Sequence, residues 1–133
     1  MKYSLVFPVA LCFLIFAVSS TFATTAGCHE GGSVQVVTSD IHKGISLILQ
    51  NVSNDDGIMP DPYPLEGLSG VGMMVSASAT FSLQSLTFFD HHIPLKEIAI
   101  AAQAIVNTCC DGATCNGGSA HVPGYLSLVE ISA

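Results

Sequence analysis

Cys109, Cys110 and Cys115 crowd into the stretch Val106-Asn107-Thr108-Cys109-Cys110-Asp111-Gly112-Ala113-Thr114-Cys115. Thiols so close together hold a metal, cycle between redox states, or close a small fold with disulfide bonds. Zinc needs further ligands, and His29, His91, His92 and His121 are candidates by type. None of them stands at a known ligand spacing, and Cys110-x4-Cys115 alone is not one, so no metal is expected. Asp55, Asp56 and Asp61 are oxygen donors for calcium in principle, but their spacing is not that of a calcium loop and a solvated acidic loop is the simpler expectation. A nucleophile elbow of the Gly-x-Ser-x-Gly kind is absent, since "GLSGVG" at 67–72 misses the spacing. The sequence therefore points to no catalytic residue and no cofactor, and a non-enzymatic protein is expected.

Which fate the thiols meet depends on the compartment. Lys2 is followed by an apolar run from Leu5 to Val18 and then by small residues ending at Ala23, the pattern of a secretory leader over 1–23. The run is short for a membrane span and carries Pro8. Removal of the leader takes Cys12 with it and leaves Cys28, Cys109, Cys110 and Cys115 in a secreted, extracellular domain over 24–133. An even set in an oxidising compartment implies two disulfides. Adjacent Cys109 and Cys110 are poorly placed to bond each other. Cys28–Cys109 with Cys110–Cys115 is preferred, because Cys109 lies on an apolar helix stripe and Cys110 is turned about 100° from it. Pairing of Cys28 with Cys110 stays open, because spacing alone does not fix connectivity.

Charge restricts the partners. The chain has 3 Lys and Arg residues against 10 Asp and Glu, and a formal charge of −7. Past the leader only Lys43 and Lys96 remain, too few to neutralise a run of phosphates, so nucleic acid is excluded as a partner. Anionic lipid headgroups are disfavoured for the same reason, whereas a purely hydrophobic membrane contact is compatible with the composition. Asn51-Val52-Ser53 is a glycosylation sequon.

These residues need a scaffold. Ser33 to Thr38 is β-branched and predicts a first strand. Thr38, Ser39 and Asp40 are capping types, and Ile41, Ile45, Ile48, Leu49 and Val52 recur at helical spacing, with Gly44 off the stripe. From Asn54 to Gly70 the prolines predict a loop. Val75, Ala77, Ala79, Phe81 and Leu83 alternate with polar residues, predicting one strand over 71–83, a turn at Gln84-Ser85 and a short third strand to Phe89. Histidines 91 and 92 are expected to be exposed loop residues ahead of a second helix, with Pro94 in its first turn and Leu95, Ile98, Ala101, Ala102, Ile105 and Cys109 on its inner face. The helix is expected to end at Asp111-Gly112, and Gly124 to Ile131 is the last strand. The fold class is then α+β: a βαββαβ split, ferredoxin-like antiparallel sheet with two helices on one face, stabilised by disulfides.

The leader, the Cys28-x5-Val34-x-Val36 start, the helices "TSDIHKGISLILQN" and "IPLKEIAIAAQAIVNTC", and the closing "GYLSLVEIS" resemble small secreted fungal proteins of the killer-toxin-like kind. The order of elements is similar to the α/β sandwich of smut virus killer toxin subunits and related plant-pathogen effectors. That resemblance implies a non-enzymatic protein that binds a host or target-cell component outside the cell. The loop holding Asp55, Asp56, Ile58, Met59, Asp61 and Tyr63 is the expected partner surface, with Ile58, Met59 and Tyr63 replaceable by alanine without loss of stability. A self-associating structural protein of the cell surface, pairing through the edge of the 71–83 strand, is the competing expectation. Partner identity, toxin or effector role and oligomeric state are not encoded in any motif.

Overall fold

The computed structural model describes residues 25–32, 34–53 and 57–133. The expected leader at 1–23, Cys12, Ser33, Asn54, Asp55 and Asp56 lie outside the described residues. In chain order the elements are β1 (Ala26–Cys28), β2 (Val36–Val37), α1 (Thr38–Leu49), β3 (Tyr63–Leu65), β4 (Gly70–Ser76), β5 (Ala79–Ser85), β6 (His91–Ile93), α2 (Leu95–Cys109), β7 (Thr114–Cys115), β8 (Gly118–Val122) and β9 (Ser127–Ser132). A five-stranded antiparallel sheet runs β1-β8-β9-β5-β4, and two antiparallel pairs, β2-β7 and β3-β6, lie outside it.

Strand alternation decides which face the helices cover. Ala79, Phe81 and Leu83 of β5, Val129 and Ile131 of β9, and Ala120 and Val122 of β8 are buried, while the residues between them stay half-buried or exposed. Ile41, Ile45 and Ile48 of α1 and Leu95, Ile98, Ala102 and Ile105 of α2 join the same cluster. Each fully buried Ile, Leu or Phe contributes about 1.5–3 kcal/mol, so this single helix-on-sheet layer supplies most of the hydrophobic driving force. The α+β class, the antiparallel pairing and the two helices match the sequence expectation.

The strand order differs from the ferredoxin-like split. There a first strand would lie between the last strand and the hairpin, whereas β9 pairs directly with β5 and the segment around Val36 pairs with β7 outside the main sheet. The predicted single strand over 71–83 is a hairpin, its turn at Ala77-Ser78 with Ala77 at φ 51. A two-residue turn pairs Ser76 with Ala79 on one face, so Met74 and Ser76 of β4 and the odd positions of β5 point inward, up to the register shift between Gly72 and Met74. Val75, expected inside, is therefore exposed, and Ser76 is buried. Leu86 to Phe89 form a loop in place of the expected third strand, and Gly124 and Leu126 belong to the β8–β9 turn in place of the last strand.

Helix ends correct further details. The N-cap of α1 is Val37, without a side-chain bond, and the Asp40 carboxylate accepts hydrogen bonds from Ser78 N (3.1 Å) and Ser78 Oγ (2.6 Å). The helix stops at Leu49, short of Val52. Asn51, at φ 60, donates to Ile48 O and Val52 donates to Leu47 O, the double bond of a helix stopped by one left-handed residue. Gly44 lies on the buried stripe, where a Cβ would collide with the Phe81 ring. Pro64, expected in a loop, is in β3 opposite His92, on an isolated pair where a missing amide is tolerated.

Candidate functional site

Cysteine placement follows from the strands and helices that bracket it. Cys28 ends β1 and Cys109 ends α2, and they are bonded with Cα atoms 5.3 Å apart. Cys110 and Cys115 are bonded across the loop that leads into β7, with Cα atoms 5.1 Å apart. This is the preferred pairing. Gly118 makes the first bridge possible, since a Cβ there would lie 3.2 Å from Cys109 Sγ and press on the Gly27 carbonyl. Gly117, at φ 76, meets the Ile131 carbonyl in the same way. All four of these thiols are consumed, and among the described residues no group of three or more His, Cys, Asp or Glu is placed to hold a metal ion.

The expected partner loop divides by burial. Ile58 is exposed, but Met59 is only 2 % exposed and belongs to the core cluster. Asp61 Oδ1 accepts the Leu95 N–H at 3.0 Å, which satisfies an orphan donor at the start of α2. Tyr63 is half-buried, and burial pushes its phenol above the usual range. Met59, Asp61 and Tyr63 therefore serve the fold, so the expectation that this loop is replaceable without loss of stability is corrected for Met59. Asn51 of the sequon is half-buried and holds the end of α1.

A different surface stands out at the end of the sheet where β4 and β9 begin and β5 and β8 end. Three connections meet there: 66–69, 86–90 and 123–126. Leu68 N donates to Thr87 O (2.8 Å), Leu86 N to Leu126 O (2.8 Å) and Ser85 N to Ser69 O (2.8 Å), so the loops form one platform. Gly67 sits so near the Phe88 carbonyl that a side chain would not fit. On this platform Phe88 is 80 % exposed, Phe89 77 %, Leu126 67 % and Leu68 61 %, with Leu86 half-exposed beside them. Leu68 (φ 52) and Leu126 (φ 45) adopt left-handed backbone conformations. Such a residue costs about 1–2 kcal/mol when it is neither glycine nor asparagine. Two strained leucines displayed to solvent point to a surface kept for contact. Sequence reasoning missed it by placing this stretch in a short third strand to Phe89; the adjacent pair Phe88-Phe89, which breaks the alternation, was the available signal.

Beside the platform lies a cleft of about 530 Å³ whose polar lining includes Glu66, Ser69, Asp90, His91 and His92. Both histidines are in β6, in place of the expected loop, with His91 half-buried and His92 exposed. Asp90 Oδ1 accepts the Gly67 N–H (2.9 Å), and His91 Nδ1 lies 3.1 Å from the Phe89 carbonyl, so Nδ1 carries the proton and donates it. Among the described residues no hydroxyl or thiol hydrogen-bonds a histidine ring. The polar groups of the cleft fasten the platform loops. No family model, curated protein or solved structure matches the chain.

Proposed function

We propose that the chain is an exported, disulfide-pinned binding protein of the effector or killer-toxin-like kind, which acts outside the cell by contact. The observation that carries this reading is the platform of Phe88, Phe89, Leu68 and Leu126, exposed on three loops of which 86–90 hydrogen-bonds to both 66–69 and 123–126. Two disulfides support an oxidising environment. Among the described residues no helix is long and apolar enough to cross a membrane. The competing role, self-association through a strand edge, is left with β4 as the only part of the 71–83 segment on a sheet edge, and its ladder is interrupted by a bulge between Gly72 and Met74. Bulges at edges discourage pairing with a second chain.

Binding of labelled, folded protein to intact candidate target cells tests the proposal. The double variant Phe88→Ser/Phe89→Ser, with an unchanged near-ultraviolet spectrum, should bind at least tenfold more weakly. Equal binding by variant and parent would remove the platform from the function.

A further inference from the structure

We infer that Asn51 carries an N-linked oligosaccharide in the exported protein. The inference rests on export, which is part of the reading above, and not on the platform. Asn51 supplies the side-chain amide nitrogen, Val52 is not proline, and Ser53 supplies the hydroxyl that the sequon requires. In the transfer step Asn51 Nδ2 forms a bond to C1 of the first sugar of a lipid-linked oligosaccharide diphosphate. The bond from C1 to the diphosphate oxygen breaks, its electron pair stays with that oxygen, and Nδ2 gives up one proton to the departing lipid diphosphate. The two disulfides call for the same oxidising compartment in which this transfer takes place.

The fold explains one half of the motif and leaves the other half over. Asparagine at 51 has a structural reason, since φ is 60 there and asparagine tolerates the left-handed conformation that ends α1. The backbone alone performs that duty: Asn51 N donates to Ile48 O at 3.1 Å, and Asn51 O accepts from Met59 N at 2.7 Å. The Asn51 side-chain amide has no hydrogen-bond partner among the described residues and is not enclosed, so its nitrogen is left open to modification. Ser53 has no comparable reason. Its amide donates to Gly57 O at 2.9 Å, but its hydroxyl bonds no described residue and is not enclosed, unlike the buried, unpartnered hydroxyls of Ser76 and Ser127. Folding therefore leaves the hydroxyl at 53 unused, and the sequon uses it. The place also suits a bulky polar group. The tripeptide lies beyond α1 and outside β1 to β9, and Val52 is bridged to Ile58, the most exposed large apolar side chain described, at 89 %. Leu49, just before the sequon, is exposed as well. A solubilising sugar at Asn51 screens this apolar ground.

The test expresses the full chain in a eukaryotic secretory host and digests the secreted, disulfide-bonded product. Peptide mass spectrometry should find sugar on the peptide that holds Asn51, and peptide N-glycosidase should remove it and leave Asn51→Asp behind. Ser53→Ala should abolish the sugar in a protein whose near-ultraviolet spectrum is unchanged, and Ser53→Thr should keep it. A dye that fluoresces on apolar surface should be brighter with Ser53→Ala than with the parent, and Ile58→Ser added to Ser53→Ala should take the excess away. Secreted, disulfide-bonded protein with a bare Asn51, or sugar at Asn51 that survives Ser53→Ala, overturns the inference and leaves export standing. A chain retained inside the cell with free thiols overturns export and the inference together. Equal dye signals from parent and Ser53→Ala overturn the screening of Ile58.

Discussion

Neighbouring residues with similar chemistry have unlike duties, and Ile58 and Met59 show it most directly. One projects into solvent and the other is buried in the core cluster. Met59→Ala should lower stability by about 2–5 kcal/mol through the cavity it leaves, while Ile58→Ala should change it by less than about 0.5 kcal/mol; urea unfolding followed by circular dichroism measures both. Asp40 gives a pH signature. Its hydrogen bonds from the Ser78 hydroxyl and amide hold its carboxyl below the usual range. A carboxylate lowered on folding contributes stability that is complete above its unfolded pKa, near ~3.9, and is lost as pH falls through the lower folded value. Asp40→Asn should therefore have a lower urea midpoint than the parent at pH 7, and the gap should close as pH drops below about 4. The expected capping role of Asp40 failed for a visible reason: the residue that meets it is 38 positions away, across a hairpin whose existence the sequence hides.

That hairpin shows how far elements can be read from residue order. Both helices were legible because eleven or more residues of 3.6 periodicity leave few alternatives. The Ala77-Ser78 turn contains neither glycine nor asparagine, and small polar Ser76 occupies a core position, so hydrophobic alternation runs through the turn in the wrong phase. Cleft and platform were illegible for a related reason. Apolar residues are assumed to be inside, and nothing local marks Leu68, Phe88 and Leu126 as neighbours, since strand pairing alone brings their loops together. Gly44 is a sharper case of tertiary override. Replacing it with alanine gains about 1 kcal/mol of helix propensity, but a methyl group there drives into the fully buried Phe81 ring, and overpacking costs about 1–3 kcal/mol. A net loss of up to about 2 kcal/mol is expected for Gly44→Ala. In Gly44→Ala/Phe81→Leu the loss should shrink below the sum of the single effects, a coupling that thermal melts of the four proteins resolve.

Across the whole molecule the two ends of the sheet are built differently. Both disulfides, β7 and the Ala77-Ser78 turn gather where β5 and β8 begin, and the exposed leucines and phenylalanines sit at the other end. The Cys28–Cys109 bridge encloses a sequence separation of 81, and the chain-entropy estimate for such a loop is about 4–5 kcal/mol; for the separation of 5 between Cys110 and Cys115 it is about 2 kcal/mol. Cys28→Ser/Cys109→Ser should accordingly destabilise the protein about twice as much as Cys110→Ser/Cys115→Ser, in melts run without reductant. The long bridge also shapes how the protein carries mechanical load. Tension applied between its two ends passes from Cys28 straight into Cys109 and shunts past everything between them. On the C-terminal side of the bridge the tail after α2, itself partly locked by the short bridge, pays out, an extension on the order of 70 Å against several hundred for an uncrosslinked chain. A tethered molecule tugged by its ends would keep the helices and the β4–β5 hairpin inside an inextensible ring.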